Sequence, residues 1–545
     1  VTSISGRGEL DRSVSDERSV LAIDLGSGGP KVAVVTEHGE ILAHARGTVS
    51  TLFVDDGGAE QNPSDWWQAV DQAVTTVLSQ PNVDRSRIVA VSCTGQWSVT
   101  APIDASSQPL MNAVHWMDSR GAPDTAALTD GLIKIDGYGL RRLLRWIQIT
   151  GAVPTHAGAD SLAHILFLKR ARPDVYARTH KLLEPMDYLN LRLTGRFSAS
   201  YATIFPYLLT DNRDVTRVRY HEGLLGLAAV DRDKLPDLVP VDAVLGTLLP
   251  EVAARWNLSL ATQVVCGTTD NQTAALGAGS IDDAVGYISV GTTSWLSCHV
   301  PFKKCNLIRA IATMPSAIPG RNIVVAEQGA AGRCLEAVVE RLLCADRDWA
   351  LDSERSRVYA ELFQEAASVP AGCGGLLFLP WLNGSGPPSA DGHVRGGFIN
   401  QTLRTGRAEA VRAVLEGIAF NLGWLLPHVE KFVGREFDSL RMVGGAAESD
   451  LWCQIFADIL DRPIQRIASP RLATVRGAAL HALMSLGIRR RDEISALVPI
   501  SAVFEPAPRN RKVYQELSSA FVKCYKRTRG LFALLNKASP GEPSA

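Results

Sequence analysis

Apolar runs of strand length alternate with helical periodicities along most of the chain. Residues 20–25 and 31–36 are β-rich runs joined by Gly26-Ser27-Gly28-Gly29-Pro30, and Glu37-His38-Gly39-Glu40 turns into a third run at 41–45. A three-stranded meander is predicted. Asn62-Pro63-Ser64-Asp65 then supplies an N-cap, a proline at the first helical position and an early acid. Trp66, Val70, Ala73, Val74, Val77 and Leu78 follow at helical spacing, which predicts a helix over 63–79 with one buried face. Residues 87–92 read as the next strand, with helices expected near 160–171 and 185–194.

A second series begins at about 260. Strands are predicted at 263–267, 287–290 and 295–300, and a small-residue helix opens over 273–279. A helix over 407–426 is ended or kinked by Pro427, and another covers 449–461. Strands and helices alternating in this way predict an α/β fold. Residues 23–29 (Ile-Asp-Leu-Gly-Ser-Gly-Gly) and 288–294 (Ile-Ser-Val-Gly-Thr-Thr-Ser) share one pattern of strand, glycine- and hydroxyl-rich corner, strand, about 265 residues apart. Two matched hairpins imply a duplicated α/β domain with a cleft between the copies. The division is placed near 258–262, giving domains at 19–259 and 260–530 and loose tails at 1–18 and 531–545.

Composition narrows the classes. The 545 residues are 46% hydrophobic and 21% charged, and 56 Lys+Arg against 57 Asp+Glu leave a formal net charge of −1. That balance argues against nucleic-acid or polybasic membrane binding. No long apolar run predicts a membrane span, and the polar first twenty residues lack the core of a secretory signal. Nine scattered cysteines without a Cys-x-x-Cys signal neither disulfides nor zinc, so a reducing cytoplasm is the expected compartment.

The candidate chemistry lies at the corners. A glycine corner lets backbone N–H groups approach phosphate oxygens with no Cβ in the way. Alone it reads first as a tight hairpin; as a pair, with Asp24 beside the first, it favours a polyphosphate cradle and a water-mediated Mg²⁺ shell. No Gly-Lys dipeptide exists for a Walker A loop, and the first corner leads into a strand rather than the helix of a dinucleotide fold. In Cys266-Gly267-Thr268-Thr269-Asp270-Asn271 a strand ends at a single carboxylate before a small-residue helix. Locally, Asp270 is a helix cap or a catalytic acid; beside two phosphate corners, a general base is the better reading.

The ordered set Asp24-Leu25-Gly26-Ser27, Gly95-Gln96, Trp116-Met117-Asp118-Ser119-Arg120, Gly267-Thr268-Thr269-Asp270-Asn271, Gly291-Thr292-Thr293-Ser294 and Gly444-Gly445-Ala446-Ala447-Glu448-Ser449 resembles the FGGY carbohydrate kinases from about 20 to 490. Glu60-Gln61-Asn62-Pro63-x-x-Trp66-Trp67 and Met186-Asp187-Tyr188-Leu189 look most similar to the xylulokinase branch. The resemblance implies two ribonuclease-H-like domains, as in actin-like ATPases, closing on a sugar and MgATP. It implies ATP contacts at Asp24, Gly26, Ser27, Gly28, Lys31, Gly291, Thr292, Thr293, Gly444, Gly445, Ala446 and Ser449. Substrate contacts fall at Gln96, Trp97, Trp116, Asp118, Asp270 and Asn271, metal contacts at Asp24 and Asp270, and the general base at Asp270. Read bottom-up, Gly444-Gly445-Ala446 also fits a plain helix start, and Trp116 a core position.

The implied reaction is phosphorylation of a primary hydroxyl on a small ketose, D-xylulose first and another pentulose or a glycerol-like polyol second. A homodimer is the family-level expectation. A non-catalytic actin- or chaperone-like ATP-binding relative is the rival of another class, and retention of Asp270-Asn271 speaks against it. Departures gather on the sugar side: Trp97-Ser98 replaces a usual Met-His, Ser200-Tyr201 an acid–serine pair, and residues 382–388 lack a Glu-Arg. Ser27 stands for a threonine and keeps the hydroxyl, while Pro30 predicts a sheet edge or bulge.

Overall fold

Alternation along the first strand decides which face carries the chemistry. The computed structural model describes residues 17–347, 349 and 352–536. In it, β1 (Ser19–Gly26) pairs antiparallel with β2 (Gly29–Thr36), and β2 with β3 (Ile41–Arg46). Leu21, Ile23 and Leu25 join a core closed by α1 (Pro63–Leu78), whose N-cap Asn62 accepts from the Ser64 amide as its sequence predicts. Val20 and Ala22 point to a second core, and Asp24 continues that row at the strand's end.

The first sheet is completed by β4 (Ile88–Gly95), β5 (Val244–Thr247) and β6 (Gln263–Thr269), in the order β5-β6-β4-β1-β2-β3. Helices α2 (Ser161–Ala171) and α3 (Pro185–Thr194) fill out this half, and α4 (Asp270–Gly277) leaves the end of β6. The second sheet contains β7 (Gly286–Val290), β8 (Thr293–Ser297), β9 (Glu327–Ala330), β10 (Leu440–Val443), β11 (Ile464–Ile467) and β12 (Ile500–Phe504), ordered β9-β8-β7-β10-β11-β12. Each sheet is a three-stranded antiparallel meander whose first strand pairs parallel with a fourth, the fourth parallel with a fifth, and the fifth antiparallel with a sixth. The duplication inferred from two short hairpins therefore extends over both sheets.

The helices of the second half are α5 (Gly332–Val338), α6 (Arg407–Val433), α7 (Asp450–Leu460), α8 (Ala473–Ser485) and α9 (Pro508–Leu535). The halves meet where α8 crosses α4. A Cβ on Gly277 would stand 1.8 Å from Ala473 O, and one on Gly477 1.8 Å from Thr273 O, so two glycines allow the backbones to touch. Small residues (Ala22, Ala33, Ala274, Ala275, Ala478, Ala479) line the core shared by both sheets at this crossing.

Four expectations change. The predicted boundary near 258–262 precedes β6, yet β6 pairs with β4, so Asp270 stands at an end of the first sheet rather than in a separate second half. Pro427 neither ends nor bounds its helix: α6 runs on to Val433 because Leu425, Leu426, Val429 and Phe432 are buried in the second core, which outweighs a local cost of about 3 kcal/mol. The tail expected from 531 is helical to Leu535, where α9 ends, and residues 537–545 lie outside the described ones, as do 1–16 of the N-terminal tail. Pro30 lies in an interior strand in regular register with Leu25, at the tip where its missing N–H is not needed. Among the described residues no helix is long and apolar enough to cross a membrane, and all nine cysteines are unpaired.

Candidate active site

The β1–β2 corner is the two-residue turn Ser27-Gly28, and its backbone tip is open at Gly26 and Gly28. Asp24 lies three residues before Ser27, facing α8. Its Oδ2 accepts from Lys31 Nζ at 2.8 Å, directly across the ladder, and from Thr474 Oγ1 of α8 at 2.6 Å. Its Oδ1 is buried with no partner. An unsatisfied buried carboxylate oxygen is costly, and it fits the water shell of a hard cation. No cluster of three or more candidate ligands exists among the described residues, so only a mainly water- and phosphate-coordinated ion suits the donor set.

The β7–β8 corner spans Gly291 to Thr293, with the Gly291 amide donating to Thr293 O at 2.9 Å. The Thr292 and Gly291 carbonyls accept from Ala331 and Gly332 at the start of α5, so with the Gly291 amide also engaged the Thr292 amide is the one that donates to no backbone carbonyl at the tip. Gly444 follows β10 with φ +94°, and a Cβ there would lie 2.5 Å from Val290 O, so this glycine turn is packed against the strand leading to the second corner. Gly445 and Ala446 continue it as a short 3₁₀ turn, and Ser449 Oγ accepts from Trp452 N as the N-cap of α7.

Asp270 opens α4 as a part-exposed carboxylate, with Oδ1 accepting from the Asn271 amide at 2.7 Å. Burial, then Asp24, then Glu327 push its pKa up to about 7, against a lowering pull from Lys31. Glu327, on β9, is itself raised by its surroundings, with Thr293 opposing the shift. Thr269 Oγ1 donates to Asn271 Oδ1, and the Tyr287 hydroxyl donates to the Asn271 backbone carbonyl.

Opposite these groups stands a wall locked by hydrogen bonds. Ser27 Oγ donates to Gln96 Oε1 at 2.8 Å and accepts from Trp116 Nε1 at 2.9 Å. Gln96 Nε2 donates to Gln61 Oε1, which also accepts from Trp66 Nε1, and Gln61 Nε2 returns to Ser27 O. His115 Nε2 donates to Gln96 Oε1 while its Nδ1 accepts from Met117 N; burial, His164 and Arg333 hold its pKa down to about 3, so the ring is neutral. Gln96 therefore sits behind the wall and orients Ser27 and the Trp116 ring. Asp118 is fully buried, its oxygens taken by the Ala59 and Arg120 amides and the Arg120 guanidinium, which also binds Glu60. Trp97, half-buried after β4, packs against the cores on both faces of the first sheet.

The structure thus gathers Asp24, Lys31 and Asp270 into one electrostatic group, and Ser27, Gln96 and Trp116 into one network. It turns the side chain of Asp118 inward, and holds Asn271 by its Oδ1. Gln61, His115, Glu327 and Thr474 belong to these groups without having been singled out by sequence reasoning. Only Gln61 and His115 had a local signal, Gln61 as a member of the quoted Glu60–Trp67 motif given no role and His115 as the neighbour of Trp116.

Residues 19–277 match the N-terminal domain of the FGGY family of carbohydrate kinases, and residues 286–486 its C-terminal domain. The chain belongs to that family. As an FGGY kinase it is similar to the xylulose kinase of Bacillus subtilis (strain 168), 26% identical over 516 residues that cover 94% of this chain and 97% of that protein. It is 28% identical to the xylulose kinase of Lactococcus lactis subsp. lactis (strain IL1403), across 93% of this chain and 97% of that one. Its fold matches solved structures of a gluconate kinase and a ligand-bound xylulose kinase, both from Lactobacillus acidophilus, with TM-scores of 0.82 and 0.81 at 20% identity over 95% of this chain and 100% of each. An FGGY carbohydrate kinase of two actin-like ATPase domains uses ATP to phosphorylate a sugar or polyol.

Proposed function

We propose that this kinase transfers the terminal phosphoryl group of ATP to a primary hydroxyl of a small ketose, D-xylulose first. One observation carries the reading: a single part-exposed carboxylate, Asp270, stands between two acidic neighbours, poised near pH 7 to accept a proton. Phosphoryl transfer needs alignment and charge neutralisation more than covalent help. The glycine corners at 26–28 and 291–293 offer the backbone donors for alignment, and Gly444-Gly445-Ala446 offers a Cβ-poor turn for a nucleoside. Mg²⁺, held through Asp24 Oδ1 and water, would neutralise charge on the phosphate oxygens.

The sugar side supports a neutral substrate. His115 is uncharged and Asp118 and Glu60 are paired with Arg120, so the wall presents the Trp116 ring and polar atoms already held in place. Xylulose kinases among the relatives, matched over nearly their full length, favour D-xylulose within this class. The test is ADP release across ketoses, aldonates and polyols. D-xylulose is expected to give the highest kcat/KM; a higher value for another substrate would reassign the sugar, and ATP hydrolysis indifferent to every sugar would reject a sugar kinase.

A further inference from the structure

We propose that Arg333 is a catalytic residue whose guanidinium neutralises the phosphoryl group as it crosses the cleft, a proposal that rests on the phosphotransferase reading above. Arg333 lies in the first turn of α5. Its amide points at Thr292 O at 3.4 Å, and the preceding Gly332 amide donates to Gly291 O at 2.8 Å, so its backbone is fastened to the donor-side corner. Its side chain leaves that corner and spans to the other half, where Nη1 lies 3.9 Å from Met117 Sδ, next to Trp116 in the acceptor wall.

A thioether is a weak, uncharged acceptor, so this contact does not neutralise the guanidinium, which feels Glu336 of the same helix only through space. The guanidinium is exposed, and among the described residues no carboxylate lies within ion-pair distance of it. The other cations around the cleft are paired: Lys31 with Asp24, Arg120 with Asp118 and Glu60, and Arg471 with Glu448. A neutral ketose offers Arg333 hydrogen-bond acceptors but no opposite charge, whereas the migrating phosphoryl offers both. As the bond to the ADP oxygen breaks and the bond to the sugar oxygen forms, with the sugar proton passing to Asp270, charge is spread over three equatorial oxygens. A cation rooted at the donor corner and touching the acceptor wall lies along that path, and fixed charges aimed at a developing anion are the strongest single contribution available to such a site.

The experiment compares wild type with Arg333→Met and Arg333→Lys. In Arg333→Met, kcat is expected to fall by about 10²–10³ while KM for ATP and sugar stay within about threefold, and Arg333→Lys should recover part of the loss. Calorimetry reads the same contact without turnover: affinity for MgADP with aluminium fluoride, a mimic of the phosphoryl in flight, should drop at least tenfold in Arg333→Met, with affinity for MgADP alone unchanged. Unchanged kcat and analogue affinity, or a loss confined to the sugar KM, would overturn the proposal. Should wild type act on no sugar, the phosphotransferase reading fails, and analogue binding still decides the role of Arg333.

Discussion

Asp270 is a carboxylate whose surroundings resist its ionisation, and in the role of general base proposed for it the ionised form must exist for catalysis. Activity should therefore track its pKa of about 7: kcat/KM for the sugar rises close to tenfold per pH unit below that value and levels above it. Because Glu327 contributes to the upward shift, Glu327→Gln should move this acid limb to lower pH. A pH–rate profile of both proteins checks this. Stability follows with a definite sign. The folded pKa lies above the ordinary 3.8, so the stabilising contribution is complete below about pH 4 and is lost as pH rises through about 7. Asp270→Asn, which carries no charge to bury, should melt above wild type at pH 8, with the gap closing towards pH 4. A melting series across that range that shows a constant gap would contradict the burial of this charge.

The same residues show what a sequence can reveal. Asp24 was legible because it ends a strand beside a glycine- and hydroxyl-rich corner, and Asp270 because a polar turn precedes a small-residue helix. Thr474 and Glu327 were not. Thr474 reaches Asp24 across 450 positions, and nothing in its own neighbourhood marks it.

At the scale of elements, the α4–α8 crossing positions the chemistry, since α4 begins with Asp270 and α8 carries Thr474 to Asp24. Gly477→Ala or Gly277→Ala would drive a methyl group into a backbone carbonyl that neither helix can move without shifting its partner. Each is expected to cost about 2–4 kcal/mol, read as a lowered denaturant midpoint, with kcat falling in step as Asp270 and Asp24 lose register. Helix starts with caps, such as Asn62, were read correctly from local chemistry. The course of α6 through Pro427 and the assignment of β6 to the first sheet were not local facts: burial decides the first and pairing with β4 the second.

Across the whole molecule, two sheets with the same pattern of strand pairing each carry a meander corner, with the acceptor wall contributed by the first half and the Glu327 and Arg333 side chains by the second. The wall depends on Ser27, Gln96, Gln61 and His115 together, so its shape is a property of the assembled half rather than of any one motif. Closure of the halves would exclude water that otherwise consumes ATP. The duplication could be anticipated from two hairpins because glycine corners are conspicuous; the cleft's electrostatics could not, because they arise from side chains on both halves.

The proposed catalysis requires Asp270 to take the proton from a sugar hydroxyl while nucleotide binding is left to the corners. Steady-state phosphorylation of the best sugar, with ATP affinity by calorimetry, should be compared for wild type and Asp270→Asn. The expected result is a loss of kcat of about 10³-fold or more with ATP affinity within about threefold. Retention of sugar phosphorylation by Asp270→Asn within tenfold of wild type would contradict it.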